Sequence, residues 1–306
     1  MKEVQLENII KWFIVSLPYV LGGIFLVAAA ARWMIYYTVS RHEWFAREFE
    51  KRVYKYLDSE ENKNASNTSF YVLSKKLLEK AYYESFAIRD RKSKESMDHV
   101  MSMNDRIFLV KQGCAWMVKD ILKQLRYLKW SKETPKLLHI TKATLHHNPC
   151  FNRLFGIIPM GALNELISIL PGLFVVAGVL GTFLGIKSGL VALGGMDLQD
   201  LEGTKNIMDS FLHEIGFAMT SSVVGIIFSL ALHVVNTSLS PERLFVSLVD
   251  RFESTMDLLW YRSDNNVIPE NIEKFDETKD PVETLAEDAV NVEFERTKKQ
   301  FANKVA

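Results

Sequence analysis

The sequence predicts an all-α membrane protein with three transmembrane helices, the second and third forming a long hairpin that extends into a helical cytoplasmic domain. Charge is nearly absent from residues 12–31, 157–192 and 211–235, in a chain of 306 residues that otherwise holds 37 basic and 37 acidic side chains. A transmembrane helix needs about 20 predominantly apolar residues to cross about 30 Å of hydrocarbon. Each of the three stretches meets that test. The equal charge count also argues against nucleic acid as the main partner, because such binders carry a basic excess.

Residues 1–37 read as an outside segment followed by the first span. Ala28-Ala29-Ala30-Ala31 resembles a signal-peptide cleavage site, but the apolar run of about 20 residues exceeds the 7–15 of a signal core. Its N-terminal flank (Lys2, Glu3, Glu7, Lys11) lacks a positive bias, so an uncleaved span is expected. Arg32, Arg41, Arg47, Lys51, Arg52 and Lys55 follow the span. Positive residues stay inside, which places residue 32 onward in the cytoplasm and the N-terminus outside.

Residues 38–155 are too long for a connector and are expected to form the helical cytoplasmic domain. Residues 57–69 read as a polar loop. Within 101–128, Ile107, Val110, Cys114, Met117, Ile121, Leu125 and Leu128 recur at steps of three and four, one face of a helix. Cys114 and Cys150 both fall on the cytoplasmic side, so no structural disulfide is expected. His146, His147 and Cys150 do not make a metal set, because adjacent histidines point apart and no fourth ligand is evident. No P-loop, nucleophile elbow or dinucleotide fingerprint occurs. Neither an enzyme, a cofactor nor a metal is expected.

Residues 156–192 form the second span, and Gly181, Gly185 and Gly189 repeat every fourth residue along it with Gly178 beside them. Such small-residue ridges let helix backbones approach closely in lipid, where packing drives association. Residues 193–206, with three acids and one base, read as an outside loop. The third span, 207–236, carries Ala218, Ser222, Gly225 and Ser229 at steps of 4, 3 and 4, a second small face that bears hydroxyls. Residues 237–262 then form a cytoplasmic helix with Ser240 as N-cap and Pro241 in its first turn, and Phe245, Leu248, Phe252 and Leu259 on one side. The tail, 263–306, divides into a polar linker to 281 and a charged helical segment over 282–305.

Thr182 lies nine residues inside the outer boundary and Ser222 ten, depths of about 14 and 15 Å. Both hydroxyls therefore reach one level near the middle of the bilayer, each on the small face of its own helix. Two readings of them stand: a polar constriction facing a partner helix, or hydroxyls that merely bond the carbonyl four residues back.

Gly178-Val179-Leu180-Gly181-Thr182-Phe183-Leu184-Gly185-Ile186 resembles the G-L-x-G-T-x-x-G-[IL] stretch of the MotA/TolQ/ExbB family. Ala218-Met219-Thr220-Ser221-Ser222-Val223-Val224-Gly225-Ile226 is similar to its A-x-x-[AT]-T-x-x-G-[IL] stretch. The order and topology match the three-span TolQ/ExbB form, and the likeness covers about residues 165–240. It implies a homopentamer around two copies of a single-span ExbD/TolR/MotB-like partner, whose membrane aspartate carries H⁺, or alternatively Na⁺, past the hydroxyls in a bacterial inner membrane. Thr182 takes the place of the family's first threonine and Ser222 that of the second, with Thr220 or Ser221 substituting if the helix is rotated. Phe217 stands where the ExbB branch has a glutamate. Glu214, three residues earlier, is a candidate for a related role nearer the outer surface or an interfacial residue. Lys187, a turn from the outer end, is explained by snorkelling. Asn164 and Glu165, at the inner end of the second span, are expected to line the cytoplasmic mouth or to cap the bundle rather than to bind substrate. The rival from another class is a membrane scaffold whose glycine ridges only pack helices.

Overall fold

The computed structural model describes residues 2–59, 68–87, 109–131, 137–148, 152–154, 157–194, 201–270 and 280–285. Helices dominate: α1 (Lys2–Asp58), α2 (Phe70–Tyr82) ending in a π-helical turn (Tyr83–Ala87), α3 (Val110–Leu125), α4 (Leu137–His147), α5 (Met160–Gly194), α6 (Leu201–Ser238) and α7 (Pro241–Arg262). Three of them are long and apolar enough to cross a membrane. The chain divides into two compact units. One comprises residues 1–34 with 161–240 and holds the spans; the other comprises 35–160 with 241–306.

Helix boundaries depart from the sequence reading: α5 begins at Met160 and α7 at Pro241, four residues later than the expected segments, and three other ends run longer. α1 runs on to Asp58, α5 to Gly194, and α6 begins at Leu201, inside the segment expected to be outside loop. Hydropathy marks where lipid ends, whereas a helix continues for as long as its backbone bonds close. Pro18 and Pro171 both sit inside helices, which is tolerated in spans where neighbours re-satisfy the freed groups.

The span unit is held by a small apolar core. Leu17, Leu21 and Ala28 of α1 bury themselves with Phe174 of α5 and Leu232 of α6. Phe25 stacks on Phe228 at 5.0 Å between centroids, so α1 rests on the same aromatic side of α6 that Phe174 meets at 6.3 Å. Outward-facing residues of this unit are largely apolar and exposed, among them Tyr19, Val27, Leu180, Phe183 and Leu230. In water that would be an aggregating surface; in a bilayer it is the ordinary one.

The second unit packs α2, α3, α4 and α7 with the latter part of α1. Val110, Cys114, Met117, Ile121 and Leu125, the α3 face read from the sequence, are buried; Ile107 lies outside the described residues. α7 starts at Pro241 and buries Leu248, Phe252 and Leu259. Phe252 stacks on Phe49, and Trp260 stacks on Trp130 and meets Phe70 edge-on. Arg251 pairs with Glu43 at 3.1 Å and Glu50 at 2.5 Å, bonds that raise its guanidinium pKa further. The chain also makes a two-stranded antiparallel ladder, Arg153–Leu154 with Ile158–Pro159, which no alternating pattern announced.

The linker after α7 is anchored where it begins. Asn266 donates to the carbonyls of Leu125 and Leu128 at 3.1 and 2.7 Å and accepts from the Tyr71 amide at 3.0 Å, while the Asn265 carbonyl accepts from the Phe70 amide. One side chain thus caps the end of α3 and the start of α2, satisfying groups that a helix leaves unpaired. Residues 271–279 and 286–306, including most of the expected charged terminal helix, lie outside the described residues. Asn266→Ala is expected to lower the stability of this unit by about 1–3 kcal/mol, the cost of leaving part-buried polar groups unmet. Val267→Ala, at an exposed neighbour, should change it by less than about 0.5 kcal/mol. Thermal unfolding followed by circular dichroism measures both.

Candidate functional site

The site is built by backbone proximity. A β-carbon added at Gly178 would stand 3.0 Å from the Ser221 carbonyl oxygen and 3.1 Å from Ser222 Cα; one at Gly225 would stand 2.6 Å from the Phe174 carbonyl oxygen. At Gly185 it would collide with Ala218, and at Gly189 it would lie 2.9 Å from the Phe211 ring. The ridge read from the sequence therefore faces α6, and it meets the small-residue face there. Gly181 is the three-way contact, close to Leu17 of α1 as well as to Ser221.

This approach brings the two hydroxyls together. Thr182 Oγ1 and Ser222 Oγ are in direct hydrogen-bond contact. Each also reaches the Gly178 carbonyl, at 3.1 and 3.0 Å, and Thr182 Oγ1 lies 3.5 Å from the Ala218 carbonyl. Thr182 bonds the carbonyl four residues back, whereas Ser222 reaches the same Gly178 carbonyl across the hairpin, so the two hydroxyls form a polar pair between α5 and α6. Both side chains are half-buried.

Proton counting gives the pair a chemical sign. Two hydroxyls hold two protons. One can go to the Gly178 carbonyl and the other to the neighbouring hydroxyl, and both are then spent. What remains is oxygen lone pairs. The site as folded accepts a proton donor or a cation, and it can donate to a carboxylate only by breaking an internal bond.

The other candidates divide. Ser221 is fully buried, and its hydroxyl has no hydrogen-bond partner among the described residues. It points to Gly181 and so to the α1 side, about 100° round the helix from Ser222. Thr220 is exposed and bonds back to the Gly216 carbonyl at 3.1 Å, as a lone helical threonine does. Glu214 is half-buried with a carboxylate oxygen near Gly189, roughly two turns of α6 before the hydroxyl pair. Lys187 is exposed, and so is Glu165. Cys150 lies outside the described residues, His147 donates to the Ala143 carbonyl, and among the described residues no cluster of three metal-ligating side chains occurs.

A buried cation escaped the sequence reading. Arg32, counted there only as a positive-inside residue, is 4% exposed. It donates to the side-chain oxygen of Asn164 on α5 and, at 3.0 Å, to the main-chain carbonyl of Asn236 on α6. The Asn236 amide in turn donates to the Ile167 carbonyl at 3.1 Å. All three spanning helices are tied at one end by this network, which places Asn164 as a structural ligand. The available signal was an arginine followed by Trp33-Met34-Ile35, a charge without a polar neighbourhood of its own.

Comparison with family models, with curated proteins and with solved structures returns no match. The likeness of the two glycine–hydroxyl stretches therefore rests on the residues themselves.

Ser221→Ala is expected to leave hairpin stability unchanged or raise it, since it removes a buried hydroxyl without a hydrogen-bond partner among the described residues. Gly185→Val should weaken the hairpin by about 1–3 kcal/mol or more, because its side chain collides with Ala218. Detergent-titrated unfolding of the purified protein separates the two.

Proposed function

We propose that this chain is the ion-conducting subunit of a proton channel that drives a membrane motor, five copies encircling two copies of a single-span partner with an acidic residue in the membrane. The observation that supports it is the Thr182–Ser222 pair: two half-buried hydroxyls in contact on adjoining helices, whose protons can both be spent on internal bonds. Such a pair suits the neutral, protonated form of a carboxyl group, which has a proton to donate. It suits a bare cation nearly as well, and Na⁺ is the alternative coupling ion. A dry polar group costs about 2–7 kcal/mol in an apolar medium, so even one hydrogen bond at mid-membrane lowers the barrier to passage.

In this reading the partner carboxyl picks up a proton from the outer side, is received by a hydroxyl pair, and releases the proton inward. The carboxylate left behind is a poorer guest of the same pair and moves on to the next subunit. Small residues supply clearance, and the apolar walls around them block leaks. In this reading the N-terminus lies outside and residues 38–155 and the tail after 236 in the cytoplasm, which the positive residues after the first span support.

The scaffold reading keeps one specific support, the bonds of both hydroxyls to Gly178. Thr182→Ala with Ser222→Ala distinguishes the two. A transmembrane hydrogen bond averages only about 0.6 kcal/mol, so the double variant should assemble at normal yield while proton flux, measured with a pH-sensitive dye after co-expression with the partner, falls at least about tenfold. Flux at the wild-type level would make the hydroxyls backbone-bonded bystanders, and failure to assemble would make them structural.

A further inference from the structure

The edge of α6 that carries Ser222 stays polar beyond the hydroxyl pair. Counted round the helix at about 100° per residue, Ser229 and His233 fall about 20° to either side of Ser222. Ser229 is half-buried and His233 is exposed. The side of α6 that meets α1 is a different one, marked by Phe228 stacked on Phe25 and by Ser221 turned to Gly181. Hydroxyl, hydroxyl and imidazole thus follow one line, which borders α5 on the side away from α1.

Two contacts keep this line beside α5. At one end Ser222 Oγ donates to the Gly178 carbonyl at 3.0 Å. At the other, the Asn236 amide donates to the Ile167 carbonyl at 3.1 Å. That carbonyl is available because Pro171, four residues on, has no N–H with which to close the helical bond. His233 lies between the two contacts, roughly 16 Å along the helix from Ser222 and one turn before Asn236.

Asn236 also leaves an acceptor beside the imidazole. Its Nδ2 is committed to Ile167, while its Oδ1 is buried with no hydrogen-bond partner among the described residues. Side chains three apart on a helix are neighbours, so a rotamer change brings a ring N–H of His233 to that oxygen. A buried acceptor left unmet is costly. A ring that gains its second N–H on protonation can supply the missing donor. Charged groups at this end of the unit are Arg32, which bonds the Asn236 carbonyl, and Glu165 of α5, which is exposed.

We propose that His233 is the proton relay at the exit of the pathway. The role rests on the channel reading above, in which this end of α6 is the cytoplasmic one. Imidazole is the side chain suited to take up and return a proton near neutral pH. The O–H bond of the partner's carboxyl breaks as its proton enters a file of water along the Ser229 edge. The far end of the file delivers a proton to the unprotonated ring nitrogen of His233. The imidazolium donates to Asn236 Oδ1 while it holds the charge, then gives a ring proton to cytoplasmic water and is neutral again.

The test is proton efflux from acid-loaded inverted membrane vesicles that carry the chain and its partner, because their outer surface is the cytoplasmic face. His233→Gln should lower the flux at least about tenfold, within what a positioned proton carrier supplies, at unchanged complex yield. Thr237→Ala, one turn on, should leave it unchanged. Millimolar imidazole outside should restore most of the flux of His233→Ala, and none of that of Thr182→Ala with Ser222→Ala. A His233→Gln complex that runs at the wild-type rate beside a silent hydroxyl variant would overturn the relay alone. So would a loss that imidazole leaves unrepaired or that accompanies failed assembly, since either makes His233 structural. A wild-type complex that passes no protons would overturn the channel reading and the relay with it.

Discussion

Contact between the backbones of α5 and α6 is the constraint on which the rest of the span unit depends. In a bilayer there is no hydrophobic gain from joining two apolar helices, so association requires packing close enough for dispersion and for polar bonds between helices. Gly178, Gly181, Gly185 and Gly225 provide it by omitting side chains where Ala218, Ser221 and the Phe174 carbonyl need the space. A hydroxyl on a short side chain can reach across only at such separations. The Thr182–Ser222 contact and the shared Gly178 carbonyl are therefore consequences of the glycines as much as of the hydroxyl residues themselves.

The two ends of the spans are handled by different physics. Near the middle, small residues and hydroxyls close the hairpin with no ionic group. At the end near Arg32, a guanidinium joins α1 to α5 and α6 through an amide and a main-chain oxygen. Arginine suits this task, since its several donors in a fixed fork bond two acceptors from different helices at once. Between these regions the α1–α5 seam is incomplete, and there the unit leaves an open apolar groove. α1 is consequently held by the aromatic contact of Phe25 with Phe228, by Leu17 against Gly181 and by Arg32.

Much of this was legible in the sequence, for definable reasons. Spans are read from runs of apolar residues because lipid imposes a length, and the glycine ridge is read from its period because a helix repeats every 3.6 residues. Equal depth for Thr182 and Ser222 followed from the rise per residue alone. Spacing put Ser222 on the small-residue face, but Thr220 and Ser221 stayed open as substitutes, because neighbouring residues differ by about 100° and the rotation is set by the partner helix. The structure turns Ser222 to Thr182 and Ser221 to the α1 side. The Arg32 tie and the Asn266 clamp were hidden for a different reason: they join residues more than a hundred positions apart, and a lone arginine or asparagine carries no periodic signal. Helix ends were misplaced wherever polarity rose before the backbone bonds stopped, as at Leu201.

The central claim, that glycine-permitted contact between α5 and α6 holds the two hydroxyls against each other, is tested most directly by replacing both with cysteine. Thr182→Cys with Ser222→Cys, oxidised in native membranes, should form an intrachain disulfide rapidly and nearly completely, read as loss of thiol labelling without a dimer band. Val179→Cys with Ser222→Cys should not. Adding Gly185→Val to the reactive pair should slow its oxidation at least about tenfold by parting the helices. A Thr182–Ser222 cysteine pair that stays reduced, or that oxidises equally well with Gly185→Val present, would contradict the account.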